Sequence, residues 1–398
     1  MTNPVNQSYG KRILRSAFSG WGAKLGFSWV VILAFVAAFA PFLANSMPLL
    51  ASKNGELLYP IIKYIHAGDI LAMSAFIIAL LLWGLPLALN KKVWIFITLV
   101  LLAGIAGKVL TSPPKLVVYE QFREQASDYD WQVLPPIPYS PTDYLRDYGD
   151  TSLEAPLFST QLATEGADVQ RTHFMGTDEN GADVASRMIH ASRIAMAIGF
   201  ISTGIAMLIG IIIGGQMGYF SGKVDMLGMR LVEIFEAIPV LFLLLAFVAF
   251  FGRNIYIMMV IIGVTGWSGY ARYIRAEFLK LRNQDYVQAA VASGLSLRSI
   301  LFKHMLPNGI APLLVAASFG VASAILAEAT LSFLGLGPVD APSWGQMLNQ
   351  AVKSSTFNWW MAVFPGGAIF LTVFAYNLMG EALRDAIDPT MSKRAGVA

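Results

Sequence analysis

The sequence predicts an all-α integral membrane protein with about eight transmembrane helices. Hydrophobic residues make up 56% of the 398 residues and charged residues only 13%, which is about half of the charged share of a typical soluble protein. A helix needs ~20 apolar residues to cross ~30 Å of hydrocarbon. We interpret eight apolar runs as spans, at about 26–44, 69–89, 93–110, 194–215, 230–251, 255–267, 310–333 and 359–378.

The composition argues against several classes of site. The chain contains no cysteine, which excludes disulfides, thiolate metal sites and cysteine nucleophiles. Its four histidines are widely spaced and form no H-E-x-x-H or paired pattern. The net charge of +3 is too small to indicate a nucleic-acid partner. We therefore expect no catalytic residue, no cofactor and no metal ion in this chain.

The first elements are a basic tail and one span. Residues 1–25 contain Lys and Arg side chains but no acidic one, and the first predicted transmembrane helix follows at 26–45. Basic flanks stay in the cytoplasm, so we expect a cytoplasmic amino terminus. With eight spans, the carboxyl terminus is expected there too. The alternative is a cleaved signal peptide, although its basic lead-in would be unusually long.

Two further runs form a predicted transmembrane hairpin at 66–110. Only Asn90, Lys91 and Lys92 separate them, so we expect a tight turn there that faces the cytoplasm. After Asp69 the hairpin contains no acidic residue and is rich in Leu, Ile, Val and Ala. Because lipid tolerates such helices on all sides, we expect the hairpin at the periphery of the protein.

Residues 111–172 differ in composition from the spans around them. They are rich in Pro, Asp, Tyr and Trp, and their acidic residues outnumber the basic ones. Three spans precede this stretch, so parity places it outside the cytoplasm. We expect a small, loop-rich extracytoplasmic insert. The alternative is an ordered linker that binds no ligand.

Two features of the later spans concern packing and transport. Small residues every four positions along one helical face let two membrane helices meet closely. This ladder consists of Gly210, Gly214, Gly218 and Gly222. Glu328 lies in an apolar run near its outer end, and an acidic residue within a membrane is a candidate for the translocation path. The alternative is a carboxylate that is simply hydrated at the interface.

The segment 285–307 lies between two apolar runs and contains signals for two short helices. Asp285 and Gln288 fit a capping box at the start of one helix, and Gly294 fits the left-handed residue that ends it. Ser296 fits the cap of the second helix. Basic residues around the segment place it in the cytoplasm. We expect a docking platform, and the alternative is a solvated loop that the topology leaves inside.

The same segment resembles the cytoplasmic loop of ABC importer permeases. The matching features are Ala289 and Ala290, then Gly294, and the Leu306-Pro307 ending. In that family the loop fits into a groove on the ATPase subunit and passes nucleotide-driven motion to the membrane helices. This chain departs from the family at the residue before the two alanines, which is a glutamine where a glutamate is frequent.

A second resemblance, to the C-subunit type of dipeptide and oligopeptide permeases, covers 175–389. The segment Gly176–Asp183 is similar to the family's Gly-Thr-Asp-x-x-Gly-Arg-Asp. Ala182 replaces the arginine, which could remove a local ion pair. The stretches GYFSGKVD, EIFEAIP and PSWG continue the similarity. Pro48-Leu49 weakly resembles the branch that imports larger peptides such as microcin C.

The resemblance implies a six-helix ABC importer core at 173–389, to which the hairpin and the insert are added. It implies the permease subunit of a peptide importer in the inner membrane, without an ATPase site of its own. Its partners would be a homologous second permease, two cytoplasmic ATPase subunits that bind ATP, an extracytoplasmic binding protein and membrane lipid. The predicted ATPase-coupling residues are Asp285, Tyr286, Gln288, Ala289, Ala290, Gly294, Leu306 and Pro307.

Other functions remain open from the sequence. A permease of the same family could carry nickel or another small solute instead of peptides. An ATP-independent secondary transporter would need broken helices with charges near the middle of the membrane, and the spans contain few such charges. A membrane enzyme would need an acid, a base and a nucleophile together, and no such set is visible.

Overall fold

The computed structural model describes residues 17–18, 20–114, 117, 119, 128–144, 153–164, 167–338, 341–354 and 356–387. Most of the predicted cytoplasmic tail, parts of the predicted insert and the carboxyl end from residue 388 lie outside this described part. The chain forms two compact units. The first comprises Met1–Val30, Ala197–Gly337 and Ala368–Ala398, and the second Val31–Met196 and Pro338–Gly367.

Helices dominate the described residues, as the sequence predicts, and a few short strands depart from the all-α expectation. The order along the chain is α1 (Trp21–Ala38), α2 (Ala40–Leu43), β1 (Leu50–Lys53), β2 (Glu56–Leu58), a 3₁₀ turn (Pro60–Tyr64), α3 (Ala67–Gly84), α4 (Leu89–Leu110), β3 (Trp131–Val133), β4 (Phe158–Thr164), β5 (Ala167–His173), α5 (Val184–Phe220), α6 (Gly222–Ala237), α7 (Val240–Phe251), α8 (Ile255–Thr265), α9 (Trp267–Leu281), α10 (Asp285–Ala292), α11 (Leu297–Ser299), a π turn (Ile300–Met305), α12 (Leu306–Phe333), α13 (Trp344–Lys353) and α14 (Trp359–Ile387).

The structure does not confirm the predicted number of eight spans. Within the described residues, 6 helices are long and apolar enough to cross a membrane, and the bent pair of α6 and α7 raises the number to at most 7. The shortfall lies at 255–267, where α8 has only 11 residues. At ~1.5 Å per residue this helix covers about half of a ~30 Å hydrocarbon layer.

The predicted span at 230–251 is broken. Helix α6 ends at Ala237 and α7 begins at Val240, and their axes differ by 78°. Pro239 explains the break, because a proline disfavours the helical conformation of the residue before it and offers no amide hydrogen to the helix. Ile238 accordingly has an extended conformation, with ψ 121°.

Helices α3 and α4 pack against each other as a hairpin, but the turn is not where the sequence predicts it. The turn comprises residues 85–88, and Asn90–Lys92 belong to the first turn of α4. Pro86 accounts for the difference, because Leu85 before it is extended, with φ −80° and ψ 139°, and so ends α3. That the pair is an extra transmembrane hairpin stays a prediction.

The second unit contains two small antiparallel sheets. Strand β1 pairs with β2 on one side and with β3 on the other. Strands β4 and β5 pair from Phe158↔His173 to Thr164↔Ala167. The region that was expected to be loop-rich therefore contributes strands. Strands β1, β2 and β3 have only three or four residues, which is too short to show the alternating pattern by which a strand is recognised in a sequence. Strands β4 and β5 have seven residues each, and sequence reasoning missed them as well.

Candidate functional site

The predicted docking platform, 285–307, begins with α10. Gln284 is the N-cap residue and Asp285 is the first residue of the helix. The Nε2 of Gln288 donates a hydrogen bond to the carbonyl oxygen of Arg282 at 2.7 Å. The predicted capping box between Asp285 and Gln288 is therefore wrong, because the Gln288 side chain bonds the carbonyl of the preceding turn instead.

Helix α10 ends in a Schellman motif. Gly294 has φ +70°, the left-handed conformation that the sequence predicts. Its amide donates to the carbonyl oxygen of Val291 at 3.0 Å. The amide of Leu295 donates to the carbonyl oxygen of Ala290 at 3.2 Å. These two bonds satisfy carbonyl groups that a helix end otherwise leaves without partners.

The second half of the platform joins a membrane helix directly. The Oγ of Ser296 accepts a hydrogen bond from the amide of Ser299 at 3.4 Å, as a cap does. Helix α11, the π turn and α12 then follow without a gap, so Leu306-Pro307 does not end the helix, contrary to our expectation. Pro307 is tolerated because it stands in the first turn of α12, directly after the wider π turn.

One face of the platform is buried against α9. Val287 and Ala290 of α10 are 1% and 6% exposed, and Met305 of the π turn is fully buried. They belong to one apolar cluster with Ile274 and Phe278 of α9. A single packed core therefore joins the platform to α9, and Ala290 faces this core.

The other face of the platform exposes apolar side chains. Tyr286, Val291, Leu295, Leu297 and Phe302 are between 39% and 49% exposed. Among the predicted ATPase-coupling residues, Asp285, Tyr286, Gln288, Ala289, Gly294 and Pro307 are exposed, Leu306 is half-buried and Ala290 is buried. Exposed apolar groups are typical of a surface that binds a partner when they form a contiguous patch.

The glycine ladder lies against α9 for most of its length. A Cβ atom on Gly210, Gly214 or Gly218 would fall within 2.6 Å of an atom of α9. Only glycine permits this approach of two helices. Gly222 departs from the prediction: it has φ +53°, no neighbour within 4 Å of an added Cβ, and it begins α6. The ladder therefore ends at Gly218.

Glu328, the candidate for the translocation path, is buried in α12 with 2% of its surface exposed. Its Oε1 accepts a hydrogen bond from the Ser332 hydroxyl at 2.5 Å, one turn further along the helix. This burial argues against the alternative of a simply hydrated carboxylate. Within the described part of the chain, no three His, Asp or Glu side chains are grouped so as to hold a metal ion.

The turn before α5 is held by two aspartates. The Oδ1 of Asp178 accepts from the amide of Ala182 at 2.9 Å, and its other oxygen pairs with Arg187 of α5. Asp183 caps α5, since its Oδ1 accepts from the amide of Ser186 at 2.7 Å. Although Ala182 replaces the family's arginine, Arg187 supplies an ion pair in this turn.

A buried histidine between two acids was missed by sequence reasoning. The Nδ1 of His173 lies 2.9 Å from Asp183 Oδ2, and its Nε2 lies 3.6 Å from Glu154 Oε2. Its ring stacks on Tyr139, with 4.3 Å between the ring centroids. These residues come from separate loops and a helix cap, and no spacing rule links them, so only the fold brings them together.

The stretch that carries the platform and the glycine ladder also matches a known family. Residues 206–393 match the family described as "Binding-protein-dependent transport system inner membrane component". The oligopeptide transport system permease protein OppC of Haemophilus influenzae is 39% identical over 218 residues, which cover 54% of this chain and 70% of that relative. The chain belongs to the dipeptide and oligopeptide permease family of ABC importers. The predicted resemblance is thereby confirmed.

As a member of this family, the permease is a multi-pass component of the inner membrane. The inner membrane ABC transporter permease protein YejE of Escherichia coli is 29% identical over 390 residues, covering 97% of this chain and 98% of that relative. An alignment of this extent includes the α3–α4 region. The solved MetNI methionine ABC transporter has a TM-score of 0.42 and 18% identity, covering 50% of this chain and 96% of that chain. A score this low does not by itself establish the fold.

The permease also contains a cavity that sequence reasoning missed, among α5, α7, α8, α9 and α12. The polar side chains among its lining residues all carry hydroxyl groups and include Thr203 and Tyr270. Isolated serines and threonines in an apolar helix fit no motif, so the sequence offered no signal for them. Gly320 was the one available sign, because glycine in a helix interior often marks the close approach of another group.

Proposed function

We propose that this permease is one of two membrane subunits of an ATP-driven importer of di- and oligopeptides. The observation that carries the proposal is the platform at 285–307. It consists of short helices joined by a left-handed glycine, buried on one face and apolar and exposed on the other. Such a surface fits a groove on a separate ATPase subunit, and the family of the chain supports the same assignment.

Coupling in this proposal runs through two helices. Two ATPase subunits bind and hydrolyse ATP, and their closure moves the platform. The platform shares its buried cluster with α9, and its second half continues into α12. Both membrane helices therefore follow the platform, and the path opens alternately to the two sides of the membrane. A homologous second permease supplies the other half of the path, and Glu328 stays a candidate for this half.

The outer surface of the permease has a different partner in this proposal. The strands β1 and β2 and the predicted insert at 111–172 face outwards and receive an extracytoplasmic binding protein that delivers the substrate. The amino terminus, the turn at 85–88, the platform and the carboxyl terminus face the cytoplasm, because basic residues flank them. The α3–α4 hairpin lies at the periphery and supports this outer surface.

Peptides are the proposed substrates because the relative from Haemophilus influenzae is named as a part of an oligopeptide transport system. Nickel or another small solute is the second candidate, and the branch for larger peptides such as microcin C is a third. Uptake of a labelled peptide into vesicles that contain the whole importer separates them. Competition by unlabelled di- to hexapeptides, and none by nickel salts, is the expected result.

The coupling role is tested by Gly294→Val. A β-branched residue in the left-handed conformation costs ~1–2 kcal/mol or more, so the turn between α10 and α11 should shift and weaken ATPase docking. Gly252→Val is a matched control, since Gly252 also has a positive φ of +81° and open space around an added Cβ. We expect loss of co-purifying ATPase and of transport for Gly294→Val only. Normal recovery and normal transport in that variant would disprove the docking role.

A further inference from the structure

The cavity among α5, α7, α8, α9 and α12 lies within the first unit and has a volume of about 200 Å³. A dry cavity of ~150 Å³ holds a molecule as large as benzene, so this one has room for an amino-acid residue. It is partly open, and Ser323 on its wall is exposed. A group that moves along the surface of these helices can therefore enter it.

The lining of the cavity is mostly apolar and contains no charged side chain. Five hydroxyl side chains line it: Ser202, Thr203, Thr265, Tyr270 and Ser323. The Ser202 hydroxyl donates to the Met259 carbonyl oxygen at 2.8 Å, and the Thr265 hydroxyl donates to the Ile262 carbonyl oxygen at 3.1 Å. Each of these two oxygens keeps lone pairs that can accept a hydrogen bond from a guest.

Thr203 and Tyr270 are the hydroxyl groups best placed to bind a guest. Their side chains are hydrogen-bonding neighbours. The Thr203 oxygen is buried, and its contact with Tyr270 departs from ordinary hydrogen-bond geometry. Buried polar groups are nearly always hydrogen-bonded in folded proteins. A guest that carries N–H or C=O groups can complete the hydrogen bonding of this pair.

Two glycines hold Tyr270 at the cavity. A Cβ atom on Gly320 of α12 would overlap the Tyr270 hydroxyl oxygen. A Cβ atom on Gly210 of α5 would lie 2.5 Å from the Tyr270 Cβ. Because both positions lack a side chain, the tyrosine fits between the two helices and its hydroxyl reaches the cavity. This arrangement gives Gly320 a role beyond helix packing.

Tyr270 also connects the cavity to the platform. It belongs to the same buried cluster as Val287 and Ala290 of α10 and Met305 of the π turn. The cluster is a continuous set of packed side chains, and such sets can carry coupling between distant parts of a protein. A displacement of the platform therefore reaches the residue that lines the cavity.

We propose that this cavity is a subsite of the transport path that binds uncharged hydrogen-bonding groups, namely the amide units of a peptide backbone. Hydroxyl groups can donate to a carbonyl oxygen and accept from an N–H group, so they match an amide unit of either orientation. A charged group would lose its hydration there without gaining an ion pair. This inference rests on the proposed function, since it assumes that the permease carries peptides.

Cysteine protection tests the subsite directly, because the chain has no cysteine of its own. Ser323→Cys places a thiol on the cavity wall, and Thr330→Cys places one two turns further along the same face of α12, where it is also exposed. The complete importer, with its binding protein, is treated with N-ethylmaleimide and ATP, with and without tetra-alanine. We expect tetra-alanine to slow alkylation severalfold at position 323 and to leave position 330 unchanged. Equal rates at position 323 with and without the peptide would overturn the proposal.

Transport of two peptides tests the chemistry of the subsite. Thr203→Val removes one hydroxyl and keeps the shape of the side chain. The loss of one neutral hydrogen bond should reduce tetra-alanine uptake about three- to tenfold, while ATP hydrolysis continues. Because an N-methylated tetra-alanine lacks the amide donors, Thr203→Val should lower its uptake less than it lowers the uptake of tetra-alanine. Thr330→Val is the control and should leave the uptake of both peptides at the wild-type level.

The outcomes separate this inference from the proposed function. If the wild-type importer takes up no peptide, the proposed substrate class is wrong, and the subsite falls with it. If tetra-alanine is taken up, but Thr203→Val lowers the uptake of both peptides equally, the cavity does not recognise amide groups. If Thr203→Val lowers only the melting temperature, the cavity is a structural void and the inference is overturned.

Discussion

Two helix pairs pack in different ways in this permease. Helices α5 and α9 meet through Gly210, Gly214 and Gly218, where the backbones come into contact. Helices α3 and α4 approach each other closely near one end, at Gly104 and Gly107. Only 11% and 6% of the apolar windows of α3 and α4 are buried, against 39% for α5. The α5–α9 pair therefore forms a tightly packed contact, whereas α3 and α4 leave large apolar surfaces exposed.

The hairpin has a polar attachment in addition to the aromatic contacts of Phe76 with Phe35 and Phe39. Asp69, in the first turn of α3, is 4% exposed and forms an ion pair with Arg193 of α5. Its other oxygen accepts from the amide of His66 at 2.7 Å. Removing one partner of a buried ion pair leaves an uncompensated charge, so such a pair fixes position strongly.

The largest effect is expected from Gly214→Leu. The new side chain would overlap the Ala271 carbonyl oxygen of α9, and overpacking of this kind against backbone should cost ~3 kcal/mol or more. Gly204→Leu is the matched control on the same helix, because nothing lies within 4 Å of an added Cβ there. Thermal unfolding of the purified complex should show a large loss for the first variant and a small change for the second. Equal stability of both variants would mean that α5 and α9 are not tightly packed at Gly214.

The next effect concerns the attachment of the hairpin. Asp69→Asn keeps an acceptor for the His66 amide but removes the charge that pairs with Arg193, and we expect a loss of about 2 kcal/mol, since the Arg193 side chain is 27% exposed. Glu233→Gln breaks the exposed pair with Arg230 and should cost below ~1 kcal/mol. A double-mutant cycle with Arg193→Gln, followed by thermal unfolding, measures the coupling. Additive effects would show that the ion pair does not hold the hairpin.

Removal of the hairpin itself, which includes Asp69, should have a smaller effect on assembly and on ATP hydrolysis than the preceding variants have on stability. A Cβ atom on Gly107 would lie 3.4 Å from the Ala67 Cα, so the outer ends of α3 and α4 are adjacent. A short Gly-Ser linker can therefore replace 67–110 and leave the β1–β3 sheet in place. We expect the shortened permease to assemble with its ATPases and to hydrolyse ATP. Loss of assembly with the second permease would place the hairpin at that interface and contradict a peripheral role.

The smallest effect should come from single cysteines that report topology. Asn90→Cys beside the hairpin turn and Ala289→Cys on the platform are exposed and should react with an impermeant maleimide only in inverted vesicles. Asn54→Cys, between β1 and β2, is also exposed and should react from the other side. The Asn90→Cys and Asn54→Cys variants should transport normally, whereas Ala289 belongs to the predicted ATPase-coupling residues and its variant serves for labelling only. Position 90 reports on the α3–α4 pair, and position 289, on the platform after α9, reports on the α5–α9 pair. If these two cysteines react from opposite sides of the membrane, the two helix pairs differ in orientation as well as in packing.

Sequence patterns predicted those parts of the permease that depend on local chemistry. Gly294 ends α10 as expected, because a left-handed residue is a local property of the chain. The capping role of Ser296 is likewise local. The position of the hairpin turn was wrong because the basic residues were given more weight than Pro86. The neighbours of His173 could not be predicted, because they depend on which distant loops the fold brings together.

The direct passage from α11 through the π turn into α12 has a mechanical consequence. Leu297–Phe333 is one helical element of 37 residues, and a helix of this length extends ~55 Å. If it moves as a rigid body, each degree of tilt at the cytoplasmic end displaces the opposite end by about 1 Å. The element then acts as a lever arm, so that a tilt of a few degrees at the ATPase groove displaces the opposite end of the helix by several ångströms.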